Sequence, residues 1–100
     1  MGSTPIVSTN ASHDRQKMSF IVYVLQSEKN QHFYVGQTEN LLDRLIHHNS
    51  GRTKSTKSGI PWTLRYQEIF ETRSAAMKRE NEIKRKKRRG YIEWLIAGGS

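Results

Sequence analysis

Two phenols, a guanidinium, an imidazole and a carboxylate stand at Tyr23, Tyr34, Arg44, His48 and Glu80. Together they are the parts needed to cut a phosphodiester with the help of one metal ion. The planar fork of Arg44 matches a phosphate and would stabilise charge developing on a pentacoordinate phosphorus. His48, one helical turn further on, has the chemistry to bind phosphate or shuttle a proton. A partly buried histidine bonded to backbone accounts for it equally well. Tyr23 and Tyr34 are by default ordinary strand aromatics. Their phenols would otherwise orient or deprotonate a water. An unperturbed phenol, with a pKa of about 10, is a poor base at neutral pH. A nearby cation or a metal-bound water would have to lower it.

Glu80 falls on an otherwise apolar helix stripe, where an unpaired carboxylate is costly to desolvate. An ion pair with Lys84, or a stripe edge that stays wet, is one account of it. The other is a ligand to a hard divalent cation. Magnesium takes only one or two protein carboxylates, and water and substrate phosphate fill its remaining positions.

The elements that must position these groups are legible from pattern. Phe20–Gln26 and His32–Gly36 read as strands, with polar Ser27–Asn30 turning between them. Pairing Ser27 with Asn30 sets Tyr23 opposite Tyr34, and opposed residues share a face. Thr38 is expected to cap a helix running to about Asn49, with Gly51 just past its end. Leu41, Leu42, Leu45 and Ile46 form its expected buried stripe, and Arg44 and His48 flank one edge. Ser50–Pro61 reads as a Gly/Ser/Lys loop whose only core-forming residue is Ile60.

Trp62–Phe70 reads as a third strand with Trp62, Leu64, Tyr66 and Phe70 on one side. Ser74 opens a second helix through roughly Arg88. Ala76, Glu80 and Ile83 fall together on its wheel, with Met77 nearby, and Glu82 falls nearly opposite. Gly90 is expected to break that run, and Tyr91–Ala97 to form a short last helix packing Ile92, Leu95 and Ile96.

One hundred residues fit one small domain, and an apolar content of about a third allows one modest core. The expected division is a disordered leader or natural extension over 1–17, a domain over 18–97 and a flexible tail over 98–100. The absence of cysteine excludes disulfides and thiolate metal sites. No apolar run suffices for a bilayer span, and the N-terminus lacks a signal-peptide pattern. A soluble, intracellular, cytoplasmic protein is expected, with the nucleoid one place to find it.

The formal net charge is +8, an excess that usually marks a polyanionic partner: DNA, RNA or an anionic membrane surface. Lys84-Arg85-Lys86-Lys87-Arg88-Arg89 suits a solvated helix end, where cations favour the macrodipole, and resembles a nuclear-localisation signal. Six adjacent cations repel one another, so phosphate contact explains their density better. Lys84, Lys87 and Arg88 are the candidate contacts there, and Arg52, Lys54 and Lys57 would extend the surface. DNA is the expected partner, with RNA offering the same phosphate chemistry, read through backbone and shape rather than bases.

As a set, these residues resemble the GIY-YIG nuclease superfamily, and in particular its small stand-alone bacterial-type members. Ile21-Val22-Tyr23 occupies the GIY position and Tyr34-Val35-Gly36 the YIG position. Thr38, Leu41, Arg44, His48, Asn49 and Gly51 follow the family's helix pattern. Lys54-Ser55-Thr56-Lys57, Pro61-Trp62 and Ala76-Met77-Lys78-Arg79-Glu80 are similar to its loop, third strand and metal-site helix. The likeness runs from about Phe20 to Ile96.

The resemblance implies an α+β fold in which helices flank a small central three-stranded antiparallel sheet, in the order β-β-α-β-α-α. It implies Tyr23 and Tyr34 as catalytic tyrosines, with Tyr23 activating water. Arg44 would stabilise the transition state, and Glu80 would hold Mg²⁺ or Mn²⁺. Three departures stand out: Ile21 replaces the first glycine, Gln37 stands where some relatives carry lysine, and Tyr91-Ile92-Glu93 falls where larger members carry an asparagine. Two other functions compete with a DNA endonuclease. One is a non-catalytic nucleic-acid-binding module with the same fold, and the other a subunit that a partner protein targets.

Overall fold

The computed structural model describes residues 19–86 and 88–99. The expected leader over 1–17 and the candidate contact Lys87 lie outside the described residues. Strands β1 (Phe20–Ser27), β2 (Phe33–Thr38) and β3 (Trp62–Phe70) form an antiparallel sheet in the order β2-β1-β3. Helix α1 (Leu41–Asn49) and a 3-10 helix (Lys54–Gly59) follow β2, and helices α2 (Arg73–Lys86) and α3 (Arg89–Ile96) follow β3. This is the expected order and fold class.

The hairpin register differs from expectation by two residues. Tyr23 opposes Gly36, and Tyr34 opposes Leu25. Ser27 pairs with His32 instead of Asn30, because the connection is a four-residue loop with Gln31 at φ 68°. Ser27 Oγ accepts from the amides of Lys29 and Asn30, and Asn30 Oδ1 accepts from His32 N. These side-chain bonds hold a longer loop than a two-residue turn requires. A shift of two preserves strand parity, so the tyrosines still share a face.

The third strand does not keep one face throughout. Val24 opposes Tyr66 while Leu25 opposes Leu64, leaving Arg65 as the extra residue of a bulge. Trp62 and Leu64 therefore lie on the face of Tyr23, and Tyr66 and Phe70 on the other. The apolar residues accordingly divide into two clusters rather than one core. Phe20, Val22, Val24 and Val35 pack with Ala76 and Ile83 of α2 and Ile92 and Leu95 of α3. On the opposite face Tyr23, Leu25 and Trp62 pack with Tyr34, Leu41, Leu45 and Ile60.

Local capping also departs from the sequence reading. Asn40, not Thr38, caps α1, its Oδ1 accepting from Asp43 N at 3.0 Å. Thr38 ends β2, and its hydroxyl accepts from Asn40 N. Leu42 and Ile46 are exposed at 70% and 59%, because a nine-residue helix lying on a narrow sheet buries only a thin stripe. That stripe is Leu41, Leu45 and His48.

Gly90 does not break a helix. It is the second residue of α3, which begins at Arg89. Gly98 and Gly99 close α3 in a Schellman motif, their amides donating to the carbonyls of Leu95 and Trp94 with Gly98 at φ 97°. Arg79 ties this half together, reaching Glu68 of β3, Glu82 of α2 and the Tyr91 hydroxyl of α3.

Candidate active site

The face covered by α1 and the 3-10 helix gathers four of the expected groups. Tyr23 is 2% exposed, its ring centroid 6.3 Å from that of Tyr34. Tyr34 lies 4.7 Å from the His48 ring and meets Trp62 edge-on. Gly36 makes the packing possible, since a Cβ there would fall 2.6 Å from Tyr23 Oη. The glycine's lack of a side chain is thus what admits the phenol over β2.

Tyr23 Oη lies 3.1 Å from His48 Nε2, and His48 Nδ1 lies 3.1 Å from Thr56 Oγ1. Burial raises the Tyr23 pKa well above that of a free phenol, and Tyr34 and Glu80 push it the same way against Arg44. Burial also lowers the His48 pKa, helped by Arg44 and His47. Both shifts favour the neutral pair, a phenol beside an unprotonated imidazole.

The field of Arg44 thus reaches both Tyr23 and His48 from the exposed edge of α1. It has no ion-pair partner among the described residues, which leaves its fork open to a phosphate. Glu80 shares its buried stripe with Ala76 and Ile83, and its side chain is 16% exposed. It pairs with Lys84 at 2.7 Å, the ion pair that the helical spacing allowed. Glu82, on the other side of the wheel, pairs with Arg79.

Among the described residues no group of three or more His, Asp or Glu side chains is placed to cage a metal. A lone carboxylate such as Glu80 would suit only an ion that brings water and substrate phosphate as its other ligands, the habit of magnesium. Lys84 would then have to share or release the carboxylate.

Arg52, Lys54, Lys57, Lys84 and Arg88 are all exposed. Arg85, Lys86 and Arg88 line one hollow with Tyr91, a concentration of charge consistent with an anionic partner. Among the described residues no helix is long and apolar enough to cross a membrane.

Sequence reasoning named Thr56 only within the motif Lys54-Ser55-Thr56-Lys57 and gave it no role of its own. It lies in a stretch read as a loop with no core-forming residue except Ile60, yet it is 1% exposed and also accepts, through its carbonyl, the Trp62 Nε1–H bond at 2.7 Å. A hydroxyl among serines, lysines and glycines carries no periodic signal. Asn49 was singled out only by resemblance. Its side chain accepts from Trp62 N at 2.6 Å and donates to Trp62 O at 3.1 Å, fastening α1 to the start of β3.

A three-stranded antiparallel sheet bearing paired tyrosines beside a helix-borne Arg and His defines a class, and the comparisons identify it. Residues 19–92 match the model of the GIY-YIG catalytic domain, and the chain belongs to that family, one of nucleases. It is 37% identical over 78 residues to a UPF0213 protein of Staphylococcus saprophyticus, covering 77% of this chain and 94% of that one. A UPF0213 protein of Staphylococcus haemolyticus is 44% identical over 64 residues, covering 63% and 77% respectively. The solution NMR structure of a UPF0213 protein from Bacillus halodurans resembles it with a TM-score of 0.52 and 28% identity. That alignment covers 83% of this chain and 88% of the other.

Proposed function

We propose that this protein is a divalent-metal-dependent endonuclease that hydrolyses phosphodiester bonds in DNA. The single observation that carries the proposal is the convergence on Tyr23: Tyr34 and His48 pack against it, and the charges of Arg44 and Glu80 both act on it. Tyr23 takes the proton of the attacking water as it passes its own to His48 Nε2. Arg44 binds the phosphate and stabilises the charge that builds on it in the transition state. Glu80 would hold Mg²⁺ or Mn²⁺, and the chemistry supplied there is Lewis-acid polarisation of the phosphate and leaving oxygens.

The net charge of +8 supports backbone-directed binding. Branched or damaged duplexes are the substrates this suits, and repair or recombination the setting. One observation favours the alternative of a non-catalytic binding module: Glu80 is engaged by Lys84 and Tyr23 is held neutral.

Turnover separates the two. Plasmid and branched-duplex cleavage with Mg²⁺ is expected for the wild type and lost in Arg44→Ala and Glu80→Ala. Equal cleavage by all three proteins would reject the nuclease, and salt-sensitive binding without turnover would favour the module.

A further inference from the structure

The 3-10 helix between α1 and β3 carries a residue for which neither the charge pattern nor the fold accounts. Thr56 is 1% exposed, with its hydroxyl aimed at the His48 ring rather than at solvent. That hydroxyl also lies 3.3 Å from the carbonyl oxygen of Thr53, which can only accept. A threonine hydroxyl has one proton to give. Spent on Thr53 O, it leaves Thr56 Oγ1 as an acceptor toward His48 Nδ1. His48 must then carry its proton on Nδ1, and Nε2 presents a lone pair to Tyr23 Oη at 3.1 Å.

The chain of donors runs one way, from Tyr23 O–H to His48 Nε2 and from His48 Nδ1–H to Thr56, which closes on the backbone. In the other tautomer Nε2–H would donate to Tyr23 Oη, and the phenol proton would be left without an acceptor among the described residues. Among the described residues His48 is the only hydrogen-bond partner of the Tyr23 hydroxyl. The orientation of this chain therefore decides whether the phenol has somewhere to send its proton.

We propose that Thr56 is a positioning residue that locks His48 in the Nδ1–H tautomer, so that Nε2 is free to accept the proton of Tyr23. In the step itself the Tyr23 O–H bond breaks and an Nε2–H bond forms. As this happens, the phenol oxygen takes the proton of the attacking water, so the pair ends as a neutral phenol and an imidazolium whose Nδ1–H still donates to Thr56 Oγ1. Two anchors hold Thr56 in place: the Trp62 indole bond to its carbonyl, and the seating of Gly59 against the Trp62 ring. The same short helix exposes Lys54 and Lys57 on either side of Thr56, so the segment expected to meet the nucleic-acid backbone also sets the tautomer. The catalytic consequence rests on the nuclease proposal, whereas the tautomer does not.

Long-range proton–nitrogen correlation spectra of histidine-labelled protein at neutral pH read the tautomer directly, and the His48 signals are those lost in His48→Gln. Wild type is expected to show a protonated Nδ1 and an unprotonated Nε2. Thr56→Val, which removes the acceptor, is expected to populate the Nε2–H form and lower kcat at least tenfold with KM little changed. Thr56→Ser is expected to restore both readouts, and the Trp62 indole signal reports that the fold is intact in each variant. A wild-type Nε2–H tautomer, or a valine variant that retains Nδ1–H, overturns the proposal. Absence of cleavage by wild type would sink the nuclease reading alone, leaving the tautomer result to stand or fall by itself.

Discussion

At the scale of single residues, the resting pair is a neutral phenol beside a neutral imidazole, the state from which the proposed proton transfer starts, and that has a measurable sign. Burial raises Tyr23 and lowers His48, so at neutral pH the phenol keeps its proton and the imidazole is free to accept it. As pH falls through the lowered pKa of His48, Nε2 takes a proton from solvent instead. Cleavage is therefore expected to fall on an acid limb below the ordinary histidine value of 6.5, seen in a kcat–pH profile. Stability follows the same group. Between the ordinary and the lowered pKa the unfolded chain binds the proton and the folded chain does not, so the fold is stabilised above that window and loses the contribution as pH falls through it. Melting temperature should drop across that window in wild type and be flatter in His48→Gln; a steeper drop in the variant would contradict this assignment.

Elements place these residues through a few specific ties, and the clamp between α1 and β3 is the one most open to test. Asn49 satisfies both the amide and the carbonyl of Trp62, at the point where the chain leaves the 3-10 helix and enters the sheet. Asn49→Ala strips both partners from a buried residue and is expected to cost about 1–3 kcal/mol in urea unfolding. Activity should fall with it, since Trp62 holds Thr56. A loss confined to a few tenths of a kcal/mol would mean that water replaces the amide without penalty. This tie also shows where legibility ended. Alternation marked the three strands and wheel geometry separated Glu80 from Glu82, because burial on one face leaves a period in the sequence. The loop bonds of Ser27 and Asn30, the bulge at Arg65 and the burial of Thr56 leave none. Polar side chains bonded to nearby backbone shift a register or fill a core without altering hydrophobic pattern. The tyrosines were found on one face despite the misplaced register only because a slip of two keeps parity. Leu42 and Ile46 were placed wrongly because periodicity gives the apolar residues of a helix, not the width of the surface that receives them.

For the whole molecule, the two-sided packing divides labour. One face of the sheet is closed by α2 and α3 over a conventional apolar cluster, with Arg79 bridging three elements at its edge. The other face encloses the tyrosines and His48 beneath α1 and the 3-10 helix. The cations are spread over the segments that border both. If the substrate is held through its backbone, as proposed, affinity comes from phosphate contacts and counterion release, and this gives a slope that can be counted. Each phosphate contact to duplex DNA contributes about −0.9 to the slope of log affinity against log salt. If Lys54 and Lys57 each hold a phosphate beside the site, the Lys54→Ala, Lys57→Ala double variant should bind about equally less well to every duplex sequence. Its salt slope should also be shallower by about 2. Binding titrations in EDTA over a range of salt measure this without interference from cleavage. An unchanged slope would move the phosphate contacts off the 3-10 helix, and with them any link between substrate binding and the orientation of His48.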